Sequence, residues 1–131
     1  MKQGSTSKPK ALRLEQVSVS YAAEGLRRSV LDRLSFELEE GAIGCLLGAS
    51  GSGKTTVLRT IAGFQPIDQG EVFIRESRVS SPSMTVPPEK RKVGIVFQDY
   101  ALFPHLTAIQ NVGFGLRGLS REAARIQCHD L

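Results

Sequence analysis

The chain has 131 residues, which is about the size of one domain. Apolar residues make up 40% of it and charged residues 23%, a balance that is typical of globular proteins and argues against intrinsic disorder. No apolar stretch approaches about 18 residues, and no apolar segment follows the polar start at 1–10, so the sequence predicts neither a membrane-spanning helix nor a secretory signal. We therefore expect a cytoplasmic protein with a polar tail at 1–10 and a domain at 11–131.

Charge and cysteine content argue against nucleic-acid binding and against a cysteine-based metal site. The net charge is +4, and the basic residues are spread along the chain apart from the cluster Lys90-Arg91-Lys92. Because no aromatic residues interleave with these charges, we interpret the cluster as a solvated surface turn and expect no nucleic-acid partner. The two cysteines, Cys45 and Cys128, form neither a metal-binding pattern nor a disulfide framework.

The first part of the chain has the alternation of half-buried β-strands. Apolar and polar residues alternate from Leu12 to Leu14 and again, in the opposite phase, from Val17 to Tyr21, which predicts a bulge near Gln16. Leu34 to Leu38 alternate in the same way and predict a strand with one solvated face. We expect Ala22 to Arg28 to be a loop between these strands.

A phosphate-binding pattern, G-x-x-x-x-G-K-[ST], follows in the stretch Gly48-Ala49-Ser50-Gly51-Ser52-Gly53-Lys54-Thr55. A helix-like segment, Thr55 to Ala62, comes directly after it and is expected to stop at Gly63. Glycines let consecutive main-chain N–H groups turn inward at phosphate oxygens, next to the positive end of the helix. An ordinary glycine-rich turn is the alternative, which the order of strand, loop and helix disfavours.

The chemistry of this loop assigns a role to its last two residues. The Lys54 ammonium would contact the β- and γ-phosphates of a nucleotide, and the Thr55 hydroxyl would help to coordinate Mg²⁺. The loop alone does not identify which nucleotide binds, and it does not show whether that nucleotide is hydrolysed.

Two continuous apolar runs, Ala42 to Leu47 and Val93 to Phe97, predict strands that are covered on both faces, as in a parallel sheet. The predicted fold class is therefore α/β, a P-loop NTPase-type parallel sheet with an N-terminal antiparallel β piece. Ser77 to Pro88 is rich in serine and proline and predicts an irregular connection. Gln98 follows the second apolar run, at the strand end where open α/β sheets bind ligands; its amide suits contact with a metal-bound water or a phosphate oxygen.

The segment after Gln98 predicts two helices. Thr107 is placed to cap a short one, and Ser120 to cap a final one.

Several sequence motifs, taken together, resemble those of the ATP-binding subunit of a bacterial ABC importer. The resemblance covers roughly Leu12 to Leu119. Within the family the chain is most similar to the iron(III) importers, because of the long serine- and proline-rich connection and the alanine after the first glycine of the loop; polyamine, sulfate and sugar importers are the alternatives. The motifs that carry this resemblance are Leu47 to Thr56, Ile61-Ala62-Gly63-Phe64, Pro87-Pro88-Glu89-Lys90-Arg91, Val96 to Thr107 and Asn111-Val112.

The resemblance implies ATP and Mg²⁺ as cofactors and gives roles to matching positions. Tyr21 matches the aromatic residue that stacks on adenine, and the N–H groups of Ser50 to Thr56 match the phosphate cradle. Gln98 matches the glutamine that contacts Mg²⁺ together with Thr55 and couples the nucleotide to the membrane partner; Asp99 to Phe114 matches the surface where that partner docks. Lys54, Thr55 and Thr56 match the γ-phosphate, Mg²⁺ and α-phosphate contacts.

The resemblance also implies partners and a location. These are transmembrane permease subunits, a second copy of the ATP-binding subunit and, indirectly, a periplasmic substrate-binding protein. The expected location is the cytoplasmic face of the membrane.

Three family segments do not occur in the 131 residues: L-S-G-G-Q, an apolar strand ending in Asp-Glu, and the later switch histidine. We therefore expect a domain that is incomplete at its C-terminus, with no catalytic residue identified. Such a chain would bind ATP weakly and would not turn it over. The alternative function is a truncated, catalytically inactive fragment that only binds ATP or docks to the membrane partner. A small-molecule kinase or GTPase is disfavoured, because the N-K-x-D motif is also missing from these residues.

Overall fold

The computed structural model of the chain describes residues 8–23, 25–99, 101–116 and 121–129. The chain divides into two units, Met1–Ile95 and Val96–Leu131. One sheet lies in the first unit, with the strand order β2-β1-β3-β4-β5 and antiparallel pairing throughout, which confirms the predicted antiparallel β piece. Its strands are β1 (Lys10–Ala23), β2 (Leu26–Glu39), β3 (Gln69–Ile74), β4 (Ser77–Ser81) and β5 (Met84–Thr85).

A bulge in β1 explains the phase change in the sequence near Gln16 and confirms that prediction. Gln16 has a φ of 49°, and the register with β2 shifts between Leu14 and Val17. The main-chain N–H and the side-chain amide of Gln16 both donate to Ser35 Oγ, at 2.9 and 2.8 Å. Because the bulge reverses the alternation, Leu14 and Val17 on either side of it are both buried in the core.

Strand β3 begins directly against this bulge. A Cβ atom at Gly70 would lie 2.3 Å from the Glu15 carbonyl oxygen and 2.4 Å from that of Gln16, and Gly70 has a φ of 86°. Only glycine fits here without moving the main chain, so Gly70 fixes how closely β3 approaches β1.

Helix α1 (Lys54–Ala62) supplies the helical part of the first unit's core. Val57 and Ile61, four residues apart, lie on the same helix face; Val57 is buried and Ile61 packs against the core. The helix ends at Gly63, whose φ is 93° and whose N–H donates to the Arg59 carbonyl at 3.0 Å, as the sequence predicted. The buried core residues are Leu14, Val17, Val19, Leu31, Val57, Ile67, Val72 and Val79.

The two apolar runs do not form the strands that the sequence predicted. Ala42–Leu47 and Val93–Phe97 have no strand assignment and belong to no described sheet. Ile43 is 98% exposed and Val96 is 88% exposed. An apolar run becomes a buried strand only where neighbouring strands pair with its main chain and other elements cover its side chains. Neither run has such a neighbour among the described residues.

Two predicted irregular segments are in part strands. Leu26 to Arg28 belong to β2, which pairs with β1 as far as Ala23↔Leu26. The segment predicted as an irregular connection contains β4 and β5, followed by a short 3-10 turn at Pro88–Lys90. The second prediction was wrong because it took a high serine content to indicate an exposed, irregular segment. Ser80 and Ser81 are instead buried in β4, and their hydroxyl groups are hydrogen-bonded.

Arg91 corrects the interpretation of the basic cluster as a solvated turn. Lys90 and Lys92 are exposed, but Arg91 is only 3% exposed, and burial lowers the pKa of its guanidinium from the ordinary value. All five guanidinium N–H groups have a protein acceptor. Nε donates to Val86 O at 2.7 Å, one terminal nitrogen to Thr60 O and Ile61 O at 2.9 and 3.0 Å, and the other to Val79 O and Ser80 Oγ at 2.9 and 2.7 Å.

Asp68 joins the segment after α1 to the β1–β2 hairpin. Its carboxylate accepts from both the N–H and the hydroxyl of Ser20, each at 2.6 Å, and from Arg27. The hydrogen bond from the Ser20 hydroxyl is the main cause of a lowered pKa for Asp68, and the charge of Arg27 acts in the same direction.

This lowered pKa predicts a pH-dependent contribution to stability. Because the pKa of Asp68 in the folded chain lies below its unfolded value of about 3.9, the carboxylate stabilises the fold above that pH, and the contribution is lost as the pH falls through the folded-state pKa. We expect Asp68→Asn to lower the urea midpoint at pH 7 and to lower it less below about pH 4. Asp32→Asn, at an exposed carboxylate beside Arg33, is the matched control. A difference between Asp68→Asn and the parent chain that stays constant from pH 7 to pH 3 would contradict this assignment.

The second unit contains α2 (Ala108–Val112), a 3-10 turn at Gly113–Gly115 and α3 (Arg121–His129). Thr107 caps α2 as predicted, and the cap is reciprocal: its hydroxyl accepts from the Gln110 N–H, while its own N–H donates to the Gln110 side chain at 2.8 Å. Ser120, predicted to cap α3, lies outside the described residues. Within the described residues, no helix is both long enough and apolar enough to cross a bilayer.

A single amide side chain holds the loop before α2. Asn111 Oδ1 accepts from the Phe103 N–H at 2.9 Å, and Asn111 Nδ2 donates to the carbonyl oxygens of Phe103, Leu106 and Thr107 at 3.1 to 3.2 Å. The Phe103 and Phe114 rings pack at a centroid distance of 4.3 Å. The loop is therefore ordered by its own contacts.

Candidate functional site

The predicted phosphate loop is a real loop that leads directly into α1. Gly51 and Gly53 have φ values of 79° and 91°, in the left-handed region that glycine adopts without strain. A Cβ at Gly53 would lie 2.9 Å from the Leu31 side chain and 3.1 Å from the Val30 carbonyl oxygen. Strand β2 therefore packs against the end of the loop and restricts position 53 to glycine.

The start of α1 has the features of an anion-binding helix end. Gly53 is its N-cap and has no side chain that could accept hydrogen bonds from the first turn, and that turn contains no acidic residue. The first N–H groups of a helix have no partner within the helix, and the helix dipole adds positive potential there. A phosphate would satisfy both.

Lys54 folds back over the loop that precedes it. Its ammonium donates to the carbonyl oxygens of Gly48 and Ala49 at 2.7 and 2.6 Å, and contacts Ser52 Oγ at 3.4 Å. The Ser52 N–H also donates to the Ala49 carbonyl, at 3.2 Å. These bonds close the loop on itself and hold the Lys54 charge at its first residues.

Tyr21 lies next to the first turn of α1. Its hydroxyl is 3.4 Å from Thr56 Oγ1, and Tyr21 is 37% exposed while Thr56 is 8% exposed. The structure therefore brings together Tyr21 from β1, the loop, and Thr56 from α1. Thr55 is exposed at the same helix end.

Arg28 is a candidate site residue that the sequence analysis missed. It lies opposite Tyr21 in the pairing of β1 with β2, and it is exposed. The prediction of a loop at Ala22 to Arg28 left this position out of β2. The alternation of Leu34 to Leu38 does not extend to it, because the register with β1 shifts between Leu34 and Leu31.

Gln98 is exposed and lies in a turn of the second unit. Its predicted place near the phosphates, and as an Mg²⁺ ligand together with Thr55, depends on the sequence alone. Among the described residues, no group of three or more histidine, cysteine, aspartate or glutamate side chains could hold a metal ion.

Known proteins are similar to this chain in sequence and in fold. A family model described as ABC transporter matches residues 31–130. The "Fe(3+) ions import ATP-binding protein FbpC" of Fusobacterium nucleatum is 46% identical over 100 residues, which cover 75% of this chain and 26% of that protein. The chain thus spans about a quarter of the length of this curated relative.

Solved structures of ATP-binding cassettes match most of the chain. The dimeric bacterial ABC transporter cassette MJ0796 has a TM-score of 0.80, and the same cassette in a post-hydrolysis state bound to ADP and Pi has 0.78. Each is 29% identical and is matched over 91% of this chain and 54% of its own length. These matches confirm the predicted α/β fold class and the resemblance, although two of the predicted strands do not form. Because the family model covers residues 31–130, the chain belongs to the ABC transporter family.

Proposed function

We propose that this chain binds ATP with Mg²⁺ as part of the energy-coupling subunit of an ABC importer. The observation that supports this most is the loop at the start of α1, with Gly51 and Gly53 in left-handed conformations and Lys54 held across the loop. The N–H groups of Ser50 to Thr56 would hold the phosphates.

Individual side chains would then take distinct parts of the nucleotide. Lys54 would exchange its hydrogen bonds to loop carbonyls for bonds to the β- and γ-phosphates, because an anionic phosphate oxygen accepts from an ammonium more strongly than a neutral carbonyl does. The exposed Thr55 hydroxyl would contribute to Mg²⁺ coordination, together with Gln98, and Thr56 would contact the α-phosphate. Mg²⁺ supplies charge neutralisation along the phosphate chain.

Tyr21 would position the base. A phenol ring stacked on adenine contributes about 1 to 3 kcal/mol, and the ring lies beside the first turn of α1, where its hydroxyl is 3.4 Å from Thr56 Oγ1. Arg28, opposite Tyr21 in the hairpin, would place a positive charge beside the nucleotide.

The Tyr21 assignment predicts that the ring matters and the hydroxyl matters little. We expect Tyr21→Ala to weaken binding of Mg·ATP about tenfold, and Tyr21→Phe to bind within about twofold of the parent chain. Isothermal titration with Mg·ATP measures both, and titration with inorganic pyrophosphate, which has no base, is the control. Equal losses for ATP and pyrophosphate in Tyr21→Ala would contradict a stacking role.

Ferric iron is the transported substrate that we propose, because the curated relative is named as an Fe(3+) import protein. The partners we propose are permease subunits at the cytoplasmic face of the membrane, a second copy of the ATP-binding subunit and, indirectly, a periplasmic substrate-binding protein. The surface at Asp99 to Phe114 suits permease docking, because Leu102, Ile109 and Val112 are 68%, 42% and 52% exposed. Co-purification of this chain with a permease, abolished by Leu102→Glu, would test the docking part.

A further inference from the structure

A second concave site lies in the first unit beside the turn that joins β3 to β4. It is a pocket of about 420 Å³, within the usual range for small-ligand sites of roughly 300 to 1,000 Å³. Apolar Ile74 and Val79 line it, together with four cationic side chains, Arg75, Lys90, Arg91 and Lys92. No acidic side chain of the described residues lines it. We refer to it as the basic pocket.

The positive charge of the basic pocket is largely uncompensated. The ammonium groups of Lys90 and Lys92 have no carboxylate partner within the described ranges. Arg75 is paired with Glu40 at 3.4 Å, and both side chains are more than 40% exposed. Arg91 has all its donors engaged by neutral acceptors, so its charge also remains. Clustered cations in a concave, partly apolar site repel each other unless an anion joins them.

Two of these cations occupy unfavourable main-chain conformations. Arg75 has a φ of 52° in the turn between β3 and β4, and Lys92 has a φ of 55°. Glycine or asparagine takes this left-handed conformation more easily than a long side chain does. Strained residues of this kind cluster at ligand sites, where the side chain that they present is needed.

The basic pocket is distinct from the phosphate loop, although both contact α1. Arg91 binds the carbonyl oxygens of Thr60 and Ile61 in the last turn of the helix, whereas the loop joins its first turn. A nine-residue helix is about 13 Å long, so one anion could not occupy both sites.

We propose that the basic pocket binds a small soluble phosphate ester. Lys90 and Lys92 match a phosphate dianion, and the exposed hydroxyl of Ser77, which also lines the pocket, matches a polar organic part of the ligand. This site is independent of the proposed ATP site, so each can fail without the other.

The test uses the 131-residue chain and follows the main-chain amides of Lys90 and Lys92 by NMR during titration with glucose 6-phosphate. We expect saturable shifts that persist in Lys54→Ala, where the phosphate loop is disabled. The double variant Lys90→Gln/Lys92→Gln is expected to raise the apparent Kd about tenfold. The control Lys8→Gln/Arg33→Gln removes the same charge from exposed positions outside the pocket and is expected to leave the Kd unchanged.

Three outcomes would overturn the proposal. One is the absence of saturable shifts at Lys90 and Lys92, and another is an equal rise of Kd in the control double variant. The third is binding to phosphatidic acid vesicles that needs both lysines while soluble glucose 6-phosphate does not bind, which would identify a lipid headgroup as the ligand. Inorganic phosphate binding as tightly as glucose 6-phosphate would remove the organic part from the assignment.

Discussion

Replacing Arg91 by methionine is expected to destabilise the first unit by about 3 to 5 kcal/mol. The substitution keeps much of the buried volume but removes the Arg91 donors from the carbonyl oxygens of Ile61 and Val86 and from Ser80 Oγ. The carbonyl oxygens of Thr60 and Val79 lose one of two donors, because they also accept from the N–H groups of Gly63 and Val86. Each buried acceptor that loses its partner costs about 1 to 3 kcal/mol. A loss of this size is a large part of the total stability of about 5 to 15 kcal/mol that domains have.

Urea unfolding of the parent chain and the variant measures this difference. Lys90→Met and Lys92→Met are matched controls on either side of Arg91, and both are expected within about 0.5 kcal/mol of the parent because those side chains are exposed. Arg91→Lys is expected to be nearly as harmful as Arg91→Met, because an ammonium has three donors and cannot reach acceptors spread around a planar fork. An Arg91→Met variant as stable as Lys92→Met would show that the five bonds contribute little.

Replacing Lys54 by alanine is expected to weaken Mg·ATP binding by about 100-fold. Hydrogen bonds from a charged group contribute about 1.5 to 3 kcal/mol, and about 2.7 kcal/mol corresponds to that factor. Folding stability should change little, because Gly48 and Ala49 are exposed and their carbonyl oxygens can bond to water once the ammonium is removed. Isothermal titration gives the affinity, and urea unfolding gives the stability.

Arg59→Ala is the matched control for Lys54, since Arg59 is an exposed cation on the same helix. We expect unchanged Mg·ATP affinity for it. If Lys54→Ala and Arg59→Ala bind Mg·ATP equally well, the loop does not hold the phosphates and the proposed function is wrong.

Local rules predicted the features that depend only on neighbouring residues. The reversal of alternation at Gln16 predicted the bulge, because side chains in a strand alternate between two faces and an extra residue reverses them. Gly63 ends its helix and Thr107 caps its own because both devices act within a few residues. The loop at Gly48 to Thr55 was predicted for the same reason.

Features that depend on distant residues could not be predicted in this way. The burial of Arg91 requires acceptors between 5 and 31 residues away in sequence, and nothing in the cluster Lys90-Arg91-Lys92 distinguishes the middle residue from its neighbours. Similarly, the composition of Ala42 to Leu47 shows that the run could be buried but does not show whether other strands flank it. Tyr21 was identified by the resemblance, whereas its contact with Thr56 required the structure.

The five bonds of Arg91 also set an order of events during synthesis on the ribosome. The loop, helix α1 and strands β1 to β5 all precede residue 91 in the chain, so each emerges before the side chain that joins the helix end to β4. Until residue 91 has emerged, the carbonyl oxygens of Ile61 and Val86 depend on water for the hydrogen bond that Arg91 later donates. The nascent first unit thus reaches its full stability in one late step, after the residues of its sheet and its phosphate loop have already been synthesised.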